Sequence, residues 1–332
     1  MSISIVEERD AASWNELLAG STQASPFHRF ECLAICAEYA DATLYPYVGY
    51  KGEEPVGLFP IFEIEKGPLS VAVSPVPELK IHYLGPALLN HETLKSRKLE
   101  QRNRAFIEAV FERMSNDTDP RYVTVRTTPQ YHDERPFLWE GYEGTGRQTY
   151  VIDLTTDRSE LLASFSSDLR TNVRTDTDER FEITRATAGE IDRIMEGVIA
   201  LHEEKGVDYH LTPSFVRELF ERFPEEMIHA HVCRYDGEFC GGEISLEYDG
   251  VLYGWQSTAD VSLPVPVYDL MYWHVLQEAK SRGCTAYDLL GANNRTLAEY
   301  KSKFAPELRR YHALDRGGWG MKLAAQVYKQ VR

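Results

Sequence analysis

Apolar positions recur along this chain with two periods. A spacing of three and four residues marks helices, and strict alternation marks half-buried strands. Ala11, Trp14, Leu17 and Leu18 share one face of a helix predicted over 10–18, after a first strand at 3–6. A second helix is expected over 26–39. Residues 45–50 and 56–64 alternate around Gly52, the signature of a hairpin. The stretch 67–85 carries Pro68, Pro75 and Pro77 and reads as irregular. A long amphipathic helix follows over 93–114, then a strand at 121–126.

The second half repeats this theme. A strand is predicted at 148–154, then helix over 157–175 with a break near Ser166, a strand at 181–185, and helices over 188–204 and 213–223. Three strands (228–234, 240–248, 251–256) precede a helix over 267–282. A strand at 286–290, a helix over 296–304, a strand at 309–314 and an amphipathic helix over 320–331 complete the pattern. Two hairpin tips are alike: Lys51-Gly52-Glu53 with Gly57, and Asp236-Gly237-Glu238 with Gly242. Such self-similarity predicts two copies of one α/β unit, with a seam near Gly144-Thr145-Gly146. At roughly 100–200 residues per domain, 332 residues suit two domains.

No apolar run reaches the ~18 residues of a membrane helix, and the first ten residues lack the basic-then-apolar layout of a signal peptide. The five cysteines are odd in number, widely spread and without a CxxC pair. A reducing, cytoplasmic setting is therefore expected. The net charge is −16, with only 11 Lys against 25 Arg. Excess acid with little Lys suits a halophilic cytoplasm; the plainer reading is an ordinary acidic protein. The charge opposes binding of a polyanion in dilute salt, so no DNA partner is expected. At high salt the global field is screened, and a local basic groove would decide whether tRNA binds.

Four constellations carry candidate chemistry. Tyr287-Asp288-Leu289-Leu290-Gly291-Ala292-Asn293-Asn294 reads as a buried strand end and polar loop, followed by a helix bearing Lys301. A lysine there can neutralise an anionic substrate or a developing oxyanion, or simply be solvated. Asp288 can act as a base or position the acceptor, or be structural. Arg170 and Arg174 lie four apart on one helical face and can grip phosphate or carboxylate, or pair with acids such as Asp176 and Asp178. His229, His231 and Cys233 share one strand face, but a fourth ligand is not evident and no metal is assigned. The loop 205–210 offers Tyr209. Strands 240–248 and 251–256 carry Glu243, Trp255 and Gln256, and Asn294 lies on the polar loop; these join Arg170, Arg174 and Tyr209 as candidate substrate contacts. No GxxxxGK[ST], GxSxG, HExxH or GxGxxG motif occurs.

Several stretches taken together resemble the GNAT superfamily, and within it the tandem-domain FemAB-like peptidoglycan-bridge aminoacyl transferases and their acetyltransferase-like relatives. They are Phe165-Ser166-Ser167-x-x-Arg170-x-Asn172-x-Arg174 and Tyr235-Asp236-Gly237-Glu238. With them go Ala279-Lys280-x-Arg282-Gly283-Cys284-x-x-Tyr287-Asp288, then Gly291-Ala292, and Leu297-x-x-Tyr300-Lys301-x-x-Phe304. In the first half Ser25-Pro26-Phe27-His28 to Cys32-Leu33 and Tyr83-Leu84-Gly85-Pro86 match, with Cys32 where Trp is common. The resemblance runs from about residue 20 to 310.

It implies an α/β (α+β) protein of two tandem GNAT-like domains, 1–146 and 147–316, each a mixed, mostly antiparallel sheet flanked by helices. The C-terminal helix within 317–332 would pack back on the first domain, and the active site would lie in the second. The implied activity is transfer of an acyl or aminoacyl group, from acyl-CoA or aminoacyl-tRNA as co-substrate, to a small-molecule or peptide amine. Lys301 would bind or polarise the donor. The R/Q-x-x-G-x-G/A loop that binds CoA pyrophosphate is missing, so no tightly bound cofactor is expected and both donors stay open. The long coiled-coil insertion of some bridge enzymes is missing too. The rival reading is a non-catalytic binding protein on a degenerate tandem scaffold.

Overall fold

The computed structural model describes residues 2–66, 69–174 and 179–318. The helix expected over 320–331 and the acids Asp176 and Asp178 lie outside the described residues. The chain divides into two compact units, one comprising residues up to Arg147 together with those from Arg310, the other Gln148–Arg309.

The first unit runs β1 (Ser4–Glu7), α1 (Ala11–Leu18), α2 (Phe30–Tyr39), β2 (Thr43–Lys51), β3 (Glu54–Lys66), β4 (Leu69–Ser74), β5 (Ala87–Leu88), α3 (Ser96–Asp117), β6 (Tyr122–Arg126) and α4 (Arg135–Trp139). Its strands pair in the order β1-β2-β3-β4-β6, with β5 on β3. All neighbours are antiparallel except β4 and β6, where Val71–Ser74 run parallel to Tyr122–Val125. Phe106, Ile107, Val110, Phe111 and Met114 form the apolar stripe of α3 and pack on Tyr47, Phe59, Ile61 and Val123 of the sheet.

The second unit begins within β7 (Glu143–Asp153). It continues through α5 (Arg158–Ser164), α6 (Ser167–Arg174), β8 (Phe181–Arg185), α7 (Ala188–Glu203), α8 (Pro213–Arg222), β9 (Ile228–Tyr235), β10 (Glu238–Tyr248), β11 (Val251–Ala259), α9 (Val267–Arg282), β12 (Ala286–Asp288) and α10 (Arg295–Lys301). It ends within β13 (Glu307–Gly317). The strand order is β7-β12-β11-β10-β9-β8. Only β11 and β12 are parallel, joined by the crossover helix α9. The succession β1-α1-α2-β2-β3-β4-α3-β6 recurs as β8-α7-α8-β9-β10-β11-α9-β12, so both units are GNAT-like α/β folds. The two similar tips join equivalent strands, β2 to β3 and β9 to β10. At the second, Asp236 and Gly237 both have positive φ, 53° and 80°, as a tight hairpin turn matched to strand twist requires.

Three elements differ from the sequence pattern. The helix expected over 26–39 is broken at Arg29, whose backbone is extended (ψ 140°). Trp14 Nε1 donates to the His28 carbonyl at 2.7 Å, and the His28 ring is buried between Ser25 and Gly85, so His28 faces the core instead of continuing the helix. Strand β4 occupies part of the stretch read as irregular. Pro75 follows it directly, and it pairs antiparallel with β3 and, through a crossover, parallel with β6. Helix α4 has five residues, too few for a period to show.

Candidate functional site

Strands β11 and β12 pair over only three residues, Val251 with Ala286, Leu252 with Tyr287 and Tyr253 with Asp288. There β12 ends, while β11 continues to Ala259 on its β10 side. Between Gly254 and Ala259 the other edge of β11 has no strand partner among the described residues. That edge lies outside any strand ladder, the place where an extended ligand can add to a sheet; at its far end the Tyr268 hydroxyl already meets the Ala259 backbone. A bulge beside Ile244 and Ser245 makes Trp255 the extra residue of β11. Trp255 then packs on Phe215 of α8, with ring centroids 6.3 Å apart, and Gln256 accepts from the Tyr209 hydroxyl. A bulge increases local twist, and this one falls just past Tyr253, where the β11–β12 pairing stops.

The loop leaving β12 is held by a closed polar network. Leu290 and Gly291 have φ of 48° and 94°, and for a leucine that conformation costs about 1–2 kcal/mol. Asp288 Oδ1 offsets this by accepting from Leu290 N at 2.8 Å and from Thr149 Oγ at 2.7 Å, and Gly291 N donates to Thr149 Oγ at 2.9 Å. Lys301 Nζ donates to the carbonyls of Leu289 (2.6 Å), Gly291 (3.0 Å) and Leu290 (3.3 Å). Burial pushes the Lys301 ammonium down to about 8, against the favourable charge of Asp288. Asn294 accepts from Leu297 N at 3.1 Å and caps α10.

On the α9 face of the sheet, Glu243 is fully buried. It accepts from the Tyr287 hydroxyl at 2.7 Å, while its Oε2 has no partner among the described residues. Burial raises its carboxyl to about 7, with the Tyr287 hydrogen bond opposing. Gly254 lies against this pair: a Cβ there would stand 2.1 Å from the Tyr287 oxygen. Ser257 Oγ and the Tyr272 hydroxyl are 3.1 Å apart, and Tyr272, Tyr287, Tyr300 and Phe304 form an aromatic wall.

The residues singled out from sequence thus fall into separate groups. Lys301, Asp288 and Asn294 build the loop after β12. Trp255, Gln256 and Tyr209 meet on the α7–α8 side. Glu243 lies on the α9 side. Arg170 donates to the Phe165 and Ala163 carbonyls, closing α5, and Arg174 is exposed at the end of α6. His229 and His231 face carboxylates, Glu247 at 3.1 Å and Glu278 at 2.6 Å. Cys233 joins an apolar cluster with Phe181, Cys240 and Met271. The sequence reading missed Tyr287 and Tyr272 as partners of this site. The available signal was Gly254, a glycine in mid-strand where a large neighbour approaches the backbone.

The corresponding place in the first unit is filled by its own chain. Beyond the β4–β6 pairing, Leu84 forms a parallel bridge with Thr127, and its N–H donates to Arg126 O at 2.9 Å. Gly85 N donates to Ser74 Oγ at 2.9 Å. The segment Tyr83-Leu84-Gly85-Pro86 therefore occupies what is open in the second unit.

Residues 163–302 match the family described as Acetyltransferase (GNAT) domain. The solved structure of FemX superposes with a TM-score of 0.73 at 9% identity, covering 94% of this chain and 97% of FemX. The fold is that of the FemAB-like tandem GNAT proteins. L-PGS from Bacillus licheniformis is also similar (TM-score 0.58, 12% identity, 98% and 97% of the two chains). So is a tandem GNAT protein from the clavulanic acid biosynthesis pathway (0.54, 12%, 95% and 98%). No curated protein matches the sequence. Among the described residues no helix is long and apolar enough to cross a membrane.

Proposed function

We propose that this chain transfers an acyl or aminoacyl group to an amine, with the second domain, 147–316, carrying the reaction and the first, 1–146, supporting it. The observation that carries this reading is the opening between β11 and β12. An acyl donor bound where β11 runs on without a strand partner would lay its carbonyl carbon beside Gly254 and the Tyr287–Glu243 pair. The amine nitrogen attacks that carbon, the C–N bond forms, and the C–S bond of a CoA thioester or the C–O bond of an aminoacyl-tRNA ester breaks. The leaving group takes up a proton as thiol or hydroxyl. The amine must lose one, and Glu243, with its ionisation raised to about 7, is suited to receive it near neutrality. Holding donor and amine together supplies much of the acceleration. Lys301 and Asp288 enter as positioning residues that fix the carbonyls and amides of Leu289–Gly291. Trp255, Gln256 and Tyr209 on the α7–α8 side, Asn294 at the start of α10, and Arg170 and Arg174 on α6 are proposed as substrate contacts from separate places around the second unit.

The Lys301 geometry also supports the non-catalytic alternative. All three ammonium donors are engaged by its own loop, as they would be in a scaffold that binds without reacting. Thermal stability with and without acetyl-CoA, longer acyl-CoAs and charged tRNA separates the cases. A ligand at 100 times its dissociation constant adds about 2.7 kcal/mol. A saturable rise with one donor class, together with acylation of an amine in a product assay, supports the transferase. Binding without product supports the alternative, and no rise with any donor refutes both donor assignments.

A further inference from the structure

Strand β9 and helix α9 bring two imidazoles and a carboxylate together in the second unit. His231 is buried on β9, and His274 and Glu278 stand one turn apart on the same face of α9. His231 Nε2 is 2.6 Å from one Glu278 oxygen, and His274 Nε2 is 3.6 Å from the other. One ligand atom from each residue lies within 4.8 Å of the other two. We infer that His231, His274 and Glu278 form a binding site for a divalent transition-metal ion of the zinc class.

The donor chemistry selects the ion. Two imidazole nitrogens and one carboxylate oxygen suit Zn²⁺ better than Ca²⁺ or Mg²⁺, which take oxygen ligands. Two bonds of ~2.0–2.1 Å at a tetrahedral angle place their ligand atoms about 3.3 Å apart. The carboxylate need only swing back by under an ångström from His231 to admit the ion. The His274 and Glu278 side chains are 36% and 43% exposed, so the fourth position opens to water. His231 Nδ1 is buried and has no hydrogen-bond partner among the described residues, so the ring is oriented by Glu278 and by its edge contact with the His274 ring, with centroids 5.3 Å apart.

The surrounding charges permit a cation. Arg282 Nη1 stands 3.7 Å from Glu278, but its Nε is bonded to Glu247 at 2.9 Å. The guanidinium therefore stays paired when an ion takes Glu278. His229 is engaged by Glu247 and is not a ligand. Strand periodicity aligned His229, His231 and Cys233, but the partners of His231 come from α9, where His274-x-x-x-Glu278 supplies them.

The test uses the full chain stripped with chelator and titrated with Zn²⁺ against a chromophoric competitor, and with Co²⁺ for its visible spectrum. One ion per chain, the absorption of tetrahedral Co²⁺, and a zinc-dependent rise in Tm are expected. His274→Ala and Glu278→Gln should each weaken Zn²⁺ binding at least tenfold and abolish the Tm rise. His274 is partly exposed, so its variant is expected to keep the wild-type circular dichroism. His210→Ala, on an exposed loop, should change nothing. Less than half an ion per chain, or unchanged affinity in His274→Ala, overturns the assignment. None of these readouts depends on an acyl donor.

Discussion

Glu243 offers the most decisive perturbation, because its burial has a calculable pH signature. The folded protein holds this carboxyl's proton until about pH 7, whereas the unfolded chain releases it near 4.5. Between those values the native state binds more protons than the unfolded state, so stability falls as pH rises. The contribution is fully present below about pH 4.5 and lost above about pH 7. A raise of this size corresponds to about 3 kcal/mol, at roughly 1.4 kcal/mol per pH unit. Glu243→Gln keeps the shape and an oxygen for the Tyr287 hydroxyl but does not titrate. The amide adds an offset of its own, constant with pH. The difference in unfolding free energy between variant and wild type should therefore move by about 2 to 3 kcal/mol in favour of the variant between pH 5 and pH 8. Urea unfolding at several pH values measures it, followed by both fluorescence and circular dichroism so that separate transitions of the two units are told apart. Groups titrating in both proteins largely cancel. A difference constant to within about 0.5 kcal/mol across that range would show that Glu243 ionises normally, and would remove it as the proton acceptor.

Three further outcomes follow from the same region. Gly254→Ala drives a Cβ into the Tyr287 hydroxyl and should cost about 1–3 kcal/mol; adding Tyr287→Phe should recover part of it in thermal melts. Lys301→Met leaves the Leu289, Leu290 and Gly291 carbonyls without their donor; faster hydrogen exchange at the Leu290 and Gly291 amides and a lower Tm are expected, and unchanged exchange would refute the loop-holding role. Asn294→Ala should cost about 1 kcal/mol as a lost helix cap while Asn294→Asp is neutral, whereas equal loss of donor binding in both would make Asn294 a substrate contact instead.

Much of the fold was legible because its signals are local. The β9–β10–β11 meander is marked by β-rich runs around the tips at Gly237 and Gly250, α9 ends at Gly283 in the left-handed region (φ 95°), and the break between α5 and α6 falls at Ser166. What stayed hidden depends on contacts distant in sequence. Strand β4 lies between β3 and β6, and the β6 pairing spans a 47-residue gap from Ser74 to Tyr122. The bend at Arg29 exists because Trp14 captures the His28 carbonyl. Glu243 read as a candidate substrate contact on a strand; only the fold shows that it is fully buried and accepts from the Tyr287 hydroxyl. Lys301 read as a lysine on the helix after a strand end, but the three carbonyls that hold it belong to a turn whose positive φ values the sequence marks only at Gly291.

The two units share an element order yet differ in the one feature that matters for chemistry, and the difference traces to a few residues. In both, a parallel strand pair joined through a crossover helix stops early and leaves an edge exposed. In the first unit the chain after β4 turns back, and Leu84 and Gly85 satisfy that place with their own backbone groups. In the second, the chain after β11 proceeds through residues 260–266 into α9 without such a return, and the bulge at Trp255 falls where the β11–β12 pairing stops. A backbone edge inside a sheet has to be satisfied by something. The first unit uses the Tyr83–Pro86 segment there; in the second no strand takes that place among the described residues.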